Sequence, residues 1–141
     1  MRRFAKVNYT TDELQEEFRP IASLTSKSEK AQQKLTPGTW QHTMLRDNLK
    51  ALHIASALMN RETDDTNSFA RDDLREALRA FASMISKSEK AQAKFSPRTS
   101  QHTLLRNRLK ALRMAEGLIG VEWDKRRVRR PRTADVERSR E

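Results

Sequence analysis

Cysteine is absent from this chain, and its 141 residues hold only three glycines and four prolines. Without cysteine there are no disulfides, no thiolate chemistry and no Cys-based zinc site, so a reducing cytoplasm is the expected address. With so little glycine there is no loop of the kind that cradles a phosphate or a dinucleotide. Long apolar runs are missing too: mean hydropathy is −0.91, and nothing approaches the ~18–20 apolar residues needed to cross a bilayer. The opening stretch Met1-Arg2-Arg3-Phe4-Ala5-Lys6-Val7-Asn8 is basic but lacks the apolar core of a secretory signal.

Charge is plentiful. Lys and Arg number 29 against 19 Asp and Glu, a formal net charge of +10. The excess is spread along the chain, with 9 basic and 6 acidic groups in residues 1–60, 12 and 8 in 61–120, and 8 and 5 in 121–141. Such a balance favours acidic partners, nucleic acid first, although a basic pI speaks to encounter and solubility and not to a target.

The dominant feature is an internal repeat. Ser26-Lys27-Ser28-Glu29-Lys30-Ala31-Gln32 recurs unchanged at Ser86 to Gln92, Gln41-His42-Thr43 at Gln101 to Thr103, and Leu49-Lys50-Ala51-Leu52 at Leu109 to Leu112. The offset is 60 residues throughout, and more than half of positions 21–60 match their counterparts, which marks a duplication. Within each copy the apolar spacing is helical. Leu14, Phe18, Ile21 and Leu35 share one arc, echoed by Leu74, Leu78, Phe81, Ile85 and Phe95. Leu45, Leu49, Leu52, Ala55 and Met59 form a second, echoed by Leu105, Leu109, Leu112, Ala115 and Ile119. Thr10 and Glu13 read as a capping box, and Thr39 and Thr99, after the breaks at Pro37 and Pro97, as N-caps. Pro20 inside the first helix predicts a kink or a late start.

Each copy is therefore an αα-hairpin that cannot bury its apolar face alone. The expected fold is all-α: two tandem hairpins, residues 9–60 and 69–120, forming a pseudo-two-fold four-helix bundle. A polar linker spans 61–68, and a basic, flexible tail spans 121–141, with Val121 and Trp123 as the residues that would dock it on the bundle. The unit resembles a group of short, uncharacterised bacterial helical-hairpin proteins, each one copy long. The likeness lies in the K/S-x-E-K helix followed by S/T-x-Q-H-T-x-L, covering Ser26 to Leu58 and Ser86 to Leu118. That resemblance implies a helical hairpin and no known activity. A single-copy relative would dimerise, and the duplication would be a covalent form of that dimer.

Several polar residues stay identical between copies while apolar ones differ. At 100° per residue, Ser28, Glu29 and Gln32 fall on the arc of Leu14, Phe18 and Ile21. Folding the hairpin about residues 37–38 sets Glu29 across from Arg46 and Gln32 near His42, with Glu89–Arg106 and Gln92–His102 as the second set. This cluster reads either as a staple that fixes helix register or as a duplicated polar notch for a small anion or a partner's side chain. Neither His42 nor His102 has a Glu three residues before it, so the Glu-x-x-His step of di-metal bundles is missing. No nucleophile or oxyanion arrangement accompanies Glu29 and His42, and no cofactor, metal or catalytic residue is expected. Asn48 and Arg108 fall within the second apolar arc, or at its rim if the seam centres on Leu49 and Leu109.

Arg98, His102, Arg106, Lys110 and Arg113 run down one side of the last helix. They lead into a tail bearing Lys125, Arg126, Arg127, Arg129, Arg130 and Arg132. Such a stripe can follow a phosphate backbone. The chain has no clear helix-turn-helix or interleaved stacking aromatics, and Trp40 and Tyr9 are isolated. The expected function is a non-enzymatic interaction protein, monomer or homodimer and not membrane-bound, whose helical bundle presents a polar, basic surface to a protein partner. The alternative is weakly sequence-selective nucleic-acid binding through the last helix and tail.

Overall fold

The computed structural model describes residues 9–60 and 69–128, and the side chains of the last helix as far as Arg126. Four helices account for almost all of it, with no strand among the described residues: α1 (Thr11–Gln33), α2 (Trp40–Met59), α3 (Arg71–Gln92) and α4 (Ser100–Val128). Each start has a local cause. Thr10 accepts from the Glu13 amide at 3.1 Å while Glu13 Oε1 accepts from the Thr10 amide at 2.9 Å, closing the expected capping box. Thr39 and Thr99 accept from the amides of His42 and His102 at 3.3 and 3.2 Å. α3 is the exception. Its N-cap is Ala70, which has no acceptor, so only the Asp73 carboxylate reaches back, at 3.2 Å from the Ala70 amide.

Pro20 lies inside α1, which starts at Thr11 and not after the proline. Gly38 adopts φ +97° in the first loop, a left-handed conformation that glycine takes without a Cβ penalty. Arg98, its counterpart, has negative φ, yet both loops keep the same closing bond, Thr39 N to Thr36 O and Thr99 N to Ser96 O.

Both loops are short, so the chain turns back on itself at each and the loops 34–39 and 94–99 lie at one end of the molecule. α1 packs on α2, α3 on α4, α2 on α3 and α1 on α4. α2 and α4 also meet across the middle, whereas α1 and α3 do not. The reason lies in side-chain size: Ala51 and Ala55 on α2 and Ala111 and Ala115 on α4 are all essentially inaccessible, and small residues let helix axes approach. Leu14, Ile21, Leu52, Leu74, Phe81, Leu112 and Ile119 complete the core. Burying each such side chain is worth roughly 1.5–3 kcal/mol.

The inward face of α1 is Leu14, Glu17, Ile21 and Ser28, and that of α3 is Leu74, Ala77, Phe81, Met84 and Ser88. This is a three-and-four spacing, slightly rotated from the expected arc, so that Phe18 is 36% exposed while Glu17 is buried. On α2 and α4 the seam centres on Leu49 and Leu109, leaving Asn48 and Arg108 half-buried at its rim.

The helical pattern does not stop at Gly120. α4 continues to Val128 because Trp123, like Phe69 and Leu118, packs against the core. The Arg71 guanidinium lies 4.6 Å over the Trp123 ring. Arg126 pairs with Glu122 at 3.3 Å and donates to the Phe69 carbonyl. Residues 121–128 thus belong to the bundle, and only 129–141 of the expected tail lie outside the described residues.

Candidate functional site

The duplicated polar cluster does not assemble as the sequence suggests. Gln32 Nε2 donates to the backbone carbonyl of His42 at 3.4 Å, a tie between α1 and α2 that bypasses the imidazole. Glu29 is exposed, one position past buried Ser28, and Arg46 pairs with its neighbour Asp47 at 3.6 Å. The predicted Glu29–Arg46 bridge is therefore not formed, because the true inward seam of α1 passes through Ser28 and turns Glu29 outward. In the second copy Glu89 Oε2 accepts from Arg113 Nη2 at 2.6 Å in place of Arg106. Gln92 and His102 are half-buried, and His102 Nδ1 has no hydrogen-bond partner. No closed notch of these four residue types exists in either copy. Among the described residues no group of three His, Asp or Glu side chains is placed to hold a metal ion.

The basic stripe on α4 is divided. Lys110 reaches sideways to Glu17 on α1 at 3.3 Å, and Arg113 reaches the other way to Glu89 on α3. Arg126 is engaged within the bundle, by Glu122 and the Phe69 carbonyl. Arg98, Arg106 and Lys125 are exposed. Arg127 is within the last turn of α4, and Arg129, Arg130 and Arg132 lie outside the described residues.

Two surfaces stand out in their place. The first is the hairpin-loop end. Lys27, Lys30 and Lys34 close α1 while Lys87, Lys90 and Lys94 close α3, all six exposed, with Arg98 in the second loop. Glu29 and the already paired Glu89 are the carboxylates on those same segments. The opposite ends of α1 and α3 carry Asp12, Glu13, Glu16 and Glu17, and Asp72, Asp73 and Glu76. Arg71, Arg75 and Arg79 accompany the carboxylates of α3, so what the two helices share is that their lysines stand at the loop end and their carboxylates mostly at the other.

The second is an open groove of about 630 Å³ between α2 and α3. Ala51, Ile54, Ala77 and Ala80 line it, and Trp40, 70% exposed, stands beside Met44 at its loop end. Lys87 Nζ lies 3.0 Å from Met44 Sδ. Lys50 bridges the groove to Asp73 at 3.0 Å. The bond to Lys50, and then the one from the Ala70 amide, holds the Asp73 carboxyl below the usual carboxylate range. The same contact raises Lys50, helped by the fields of Glu76 and Asp47. Sequence reasoning passed over Trp40 because its counterpart is Ser100. Its position directly after the Thr39 cap, at the first turn of α2, was the available signal of an exposed ring.

No helix among the described residues is long and apolar enough to cross a membrane. Comparison with protein-family models, with curated proteins and with solved structures gives no match in any of the three.

Proposed function

We propose that this chain is a non-enzymatic cytoplasmic interaction protein whose basic hairpin-loop end docks an acidic protein partner. The observation that carries this reading is the placing of six exposed lysines at the loop end of α1 and α3, against other ends where seven carboxylates outnumber Arg19, Arg71, Arg75 and Arg79. On the same reading the two hairpins are copies fused into a pseudo-two-fold bundle. In its favour, α3 starts 60 residues after α1 and α4 60 residues after α2. The contacts of α2 with α3 and of α1 with α4 exchange under such an operation. Each copy then contributes one lysine triad to a surface with two equivalent halves. The single-copy bacterial hairpins that the unit resembles would reach the same state by pairing.

Titration of the full chain against fluorescent poly-glutamate at near-physiological salt tests this. Replacing the six lysines by Gln should abolish binding while leaving the far-UV spectrum unchanged, since all six are exposed. Equal binding by the two proteins would refute the assignment. The second reading, phosphate tracking along α4, is favoured by the exposure of Arg98, Arg106 and Lys125. It predicts that labelled duplex DNA or RNA binds with steep salt dependence and responds to Arg106→Gln and Lys125→Gln instead of to the lysines.

A further inference from the structure

The groove between α2 and α3 has features that the basic end does not share. Along the α3 edge the signs of charge run Asp73, Glu76, Arg79, Lys87, acidic toward the linker and basic toward the loops. Glu76 and Arg79 are exposed and make no ion pair among the described residues. An edge with opposite signs at its two ends complements itself when a second copy is turned end over end. The groove is also close to neutral on a chain of net charge +10, so it is where two copies approach with least repulsion.

Trp40 supplies the anchor. It is the most exposed large apolar side chain among the described residues, and tryptophan is enriched among residues that dominate interfaces. Trp40 stands seven residues before Asp47 on α2, about 10 Å along the axis. A two-fold axis through the middle of the groove therefore carries Trp40 to the level of Ile54 and the Lys50–Asp73 bridge of the other copy. The face has adequate size. Helices of 20 and 22 residues are about 30 Å long and pack about 10 Å apart, a face of about 600 Å² per partner, which reaches the lower end of a specific interface.

The counterpart face between α4 and α1 lacks both features. Ser100 replaces Trp40, and Glu17 fills the position that Ala77 leaves open. One anchored face per chain gives a closed dimer and not a filament. We propose that a second copy of this chain docks on the α2–α3 groove as an antiparallel two-fold dimer. Each Trp40 enters the other's groove, and each Asp73–Glu76 end meets the other's Arg79–Lys87 end. Lys87 is the one residue this surface shares with the loop-end lysines, so the other five separate the two assignments.

Sedimentation equilibrium of the full chain at near-physiological salt, from about 1 µM to about 200 µM, should show the mass doubling from 16.4 kDa. Trp40→Ser, which copies Ser100, should weaken the dimer about 30-fold or more. Glu76→Arg and Arg79→Glu should each weaken it, and the double swap, which restores self-complementarity, should recover it. All three positions are exposed, and circular dichroism of each variant confirms that the helices are kept. A monomer at every concentration overturns the proposal, as does a dimer indifferent to Trp40→Ser. So does failure of the double swap to recover an association that the single swaps remove. A variant with Gln at Lys27, Lys30, Lys34, Lys90 and Lys94, which keeps Lys87, should still dimerise, which separates this result from that of the loop-end reading.

Discussion

Glu17 offers the sharpest test of how the bundle is held together. Its carboxylate is 9% exposed at the α1–α4 interface and meets Lys110 Nζ at 3.3 Å, while Lys110 itself is 70% exposed. Removing one partner of a fully buried pair costs about 3–5 kcal/mol, because the other charge is left dry and unpaired. Water reaches this pair from the lysine side, so Lys110→Ala should cost less, about 1–2 kcal/mol. Glu17→Ala is different. The equivalent residue of the second copy is Ala77, 3% exposed, so the scaffold already accepts alanine there. The substitution loses some packed methylene area, gains a few tenths of a kcal/mol of helix propensity, and removes the cost of burying a charge. Its net effect should lie within about 1 kcal/mol of zero. In the Glu17→Ala background Lys110→Ala should cost less than about 0.5 kcal/mol, giving a coupling of about 1 kcal/mol. Urea unfolding followed by far-UV circular dichroism resolves this, since 1–2 kcal/mol moves the midpoint by roughly 0.5–1 M. Two results would refute the reasoning: a loss above about 2 kcal/mol for Glu17→Ala, or the same cost for Lys110→Ala in both backgrounds.

Three further outcomes follow from individual contacts. Ala70→Ser gives α3 the acceptor its N-cap lacks, and should stabilise the chain by about 0.5–1 kcal/mol in thermal melts. Trp123→Ala should cost about 2–3 kcal/mol, below the usual range for a fully buried tryptophan because the ring is half-buried. A chain ending at Gly120 should melt lower still, and a melt unchanged by both would detach residues 121–128 from the bundle. The Lys50–Asp73 bridge sets a pH window. Asp73 is lowered, so its contribution is present above the unfolded value of about 3.9 and is lost as pH falls through the folded value. Lys50 is raised, so its contribution is present below about 10.4 and is lost as pH rises through the folded value. NMR titration should find the Asp73 carboxyl below 3.9 and returned toward it by Lys50→Met.

Much of the helical skeleton was legible because it depends on local signals. Thr10 with Glu13, Thr39 and Thr99 cap the helices where spacing placed them. The apolar arcs of α2 and α4 are the ones that are buried. The reading slipped where a charge sits on the inward face. Counting Phe18 on the α1 arc, where Glu17 is the buried residue, rotated the arc and carried Glu29 inward with it, which produced a bridge to Arg46 that does not exist. Ala77 held the corrective signal, since a small apolar residue at the same register marks the position as interior. The end of α4 was missed for another reason. Gly117 and Gly120 weaken the helical pattern, while what sustains the helix is packing of Trp123 and Arg126 on Phe69 and Arg71. Those contacts cross more than fifty positions of sequence and have no local signature.

The same distinction bears on the lysines. Core-packed apolar positions differ between the copies, partly buried Leu24 against Met84 and Ile54 against Met114, as a core permits when volume is roughly kept. Lys27, Lys30 and Lys34 are matched by Lys87, Lys90 and Lys94 although all six are exposed and bury nothing. The helix dipole accounts for part of this, because cations are favoured near a helix C-terminus and Lys30 and Lys90 sit in the last turn. Its reach ends within that turn. Lys27 and Lys87 lie further back along α1 and α3, where neither the dipole nor core packing calls for a cation. Lys34 and Lys94 lie at or beyond the last helical residue. A surface that presents the same cations twice, beyond what folding asks of them, is what the proposed docking of an acidic partner at the loop end requires of both copies.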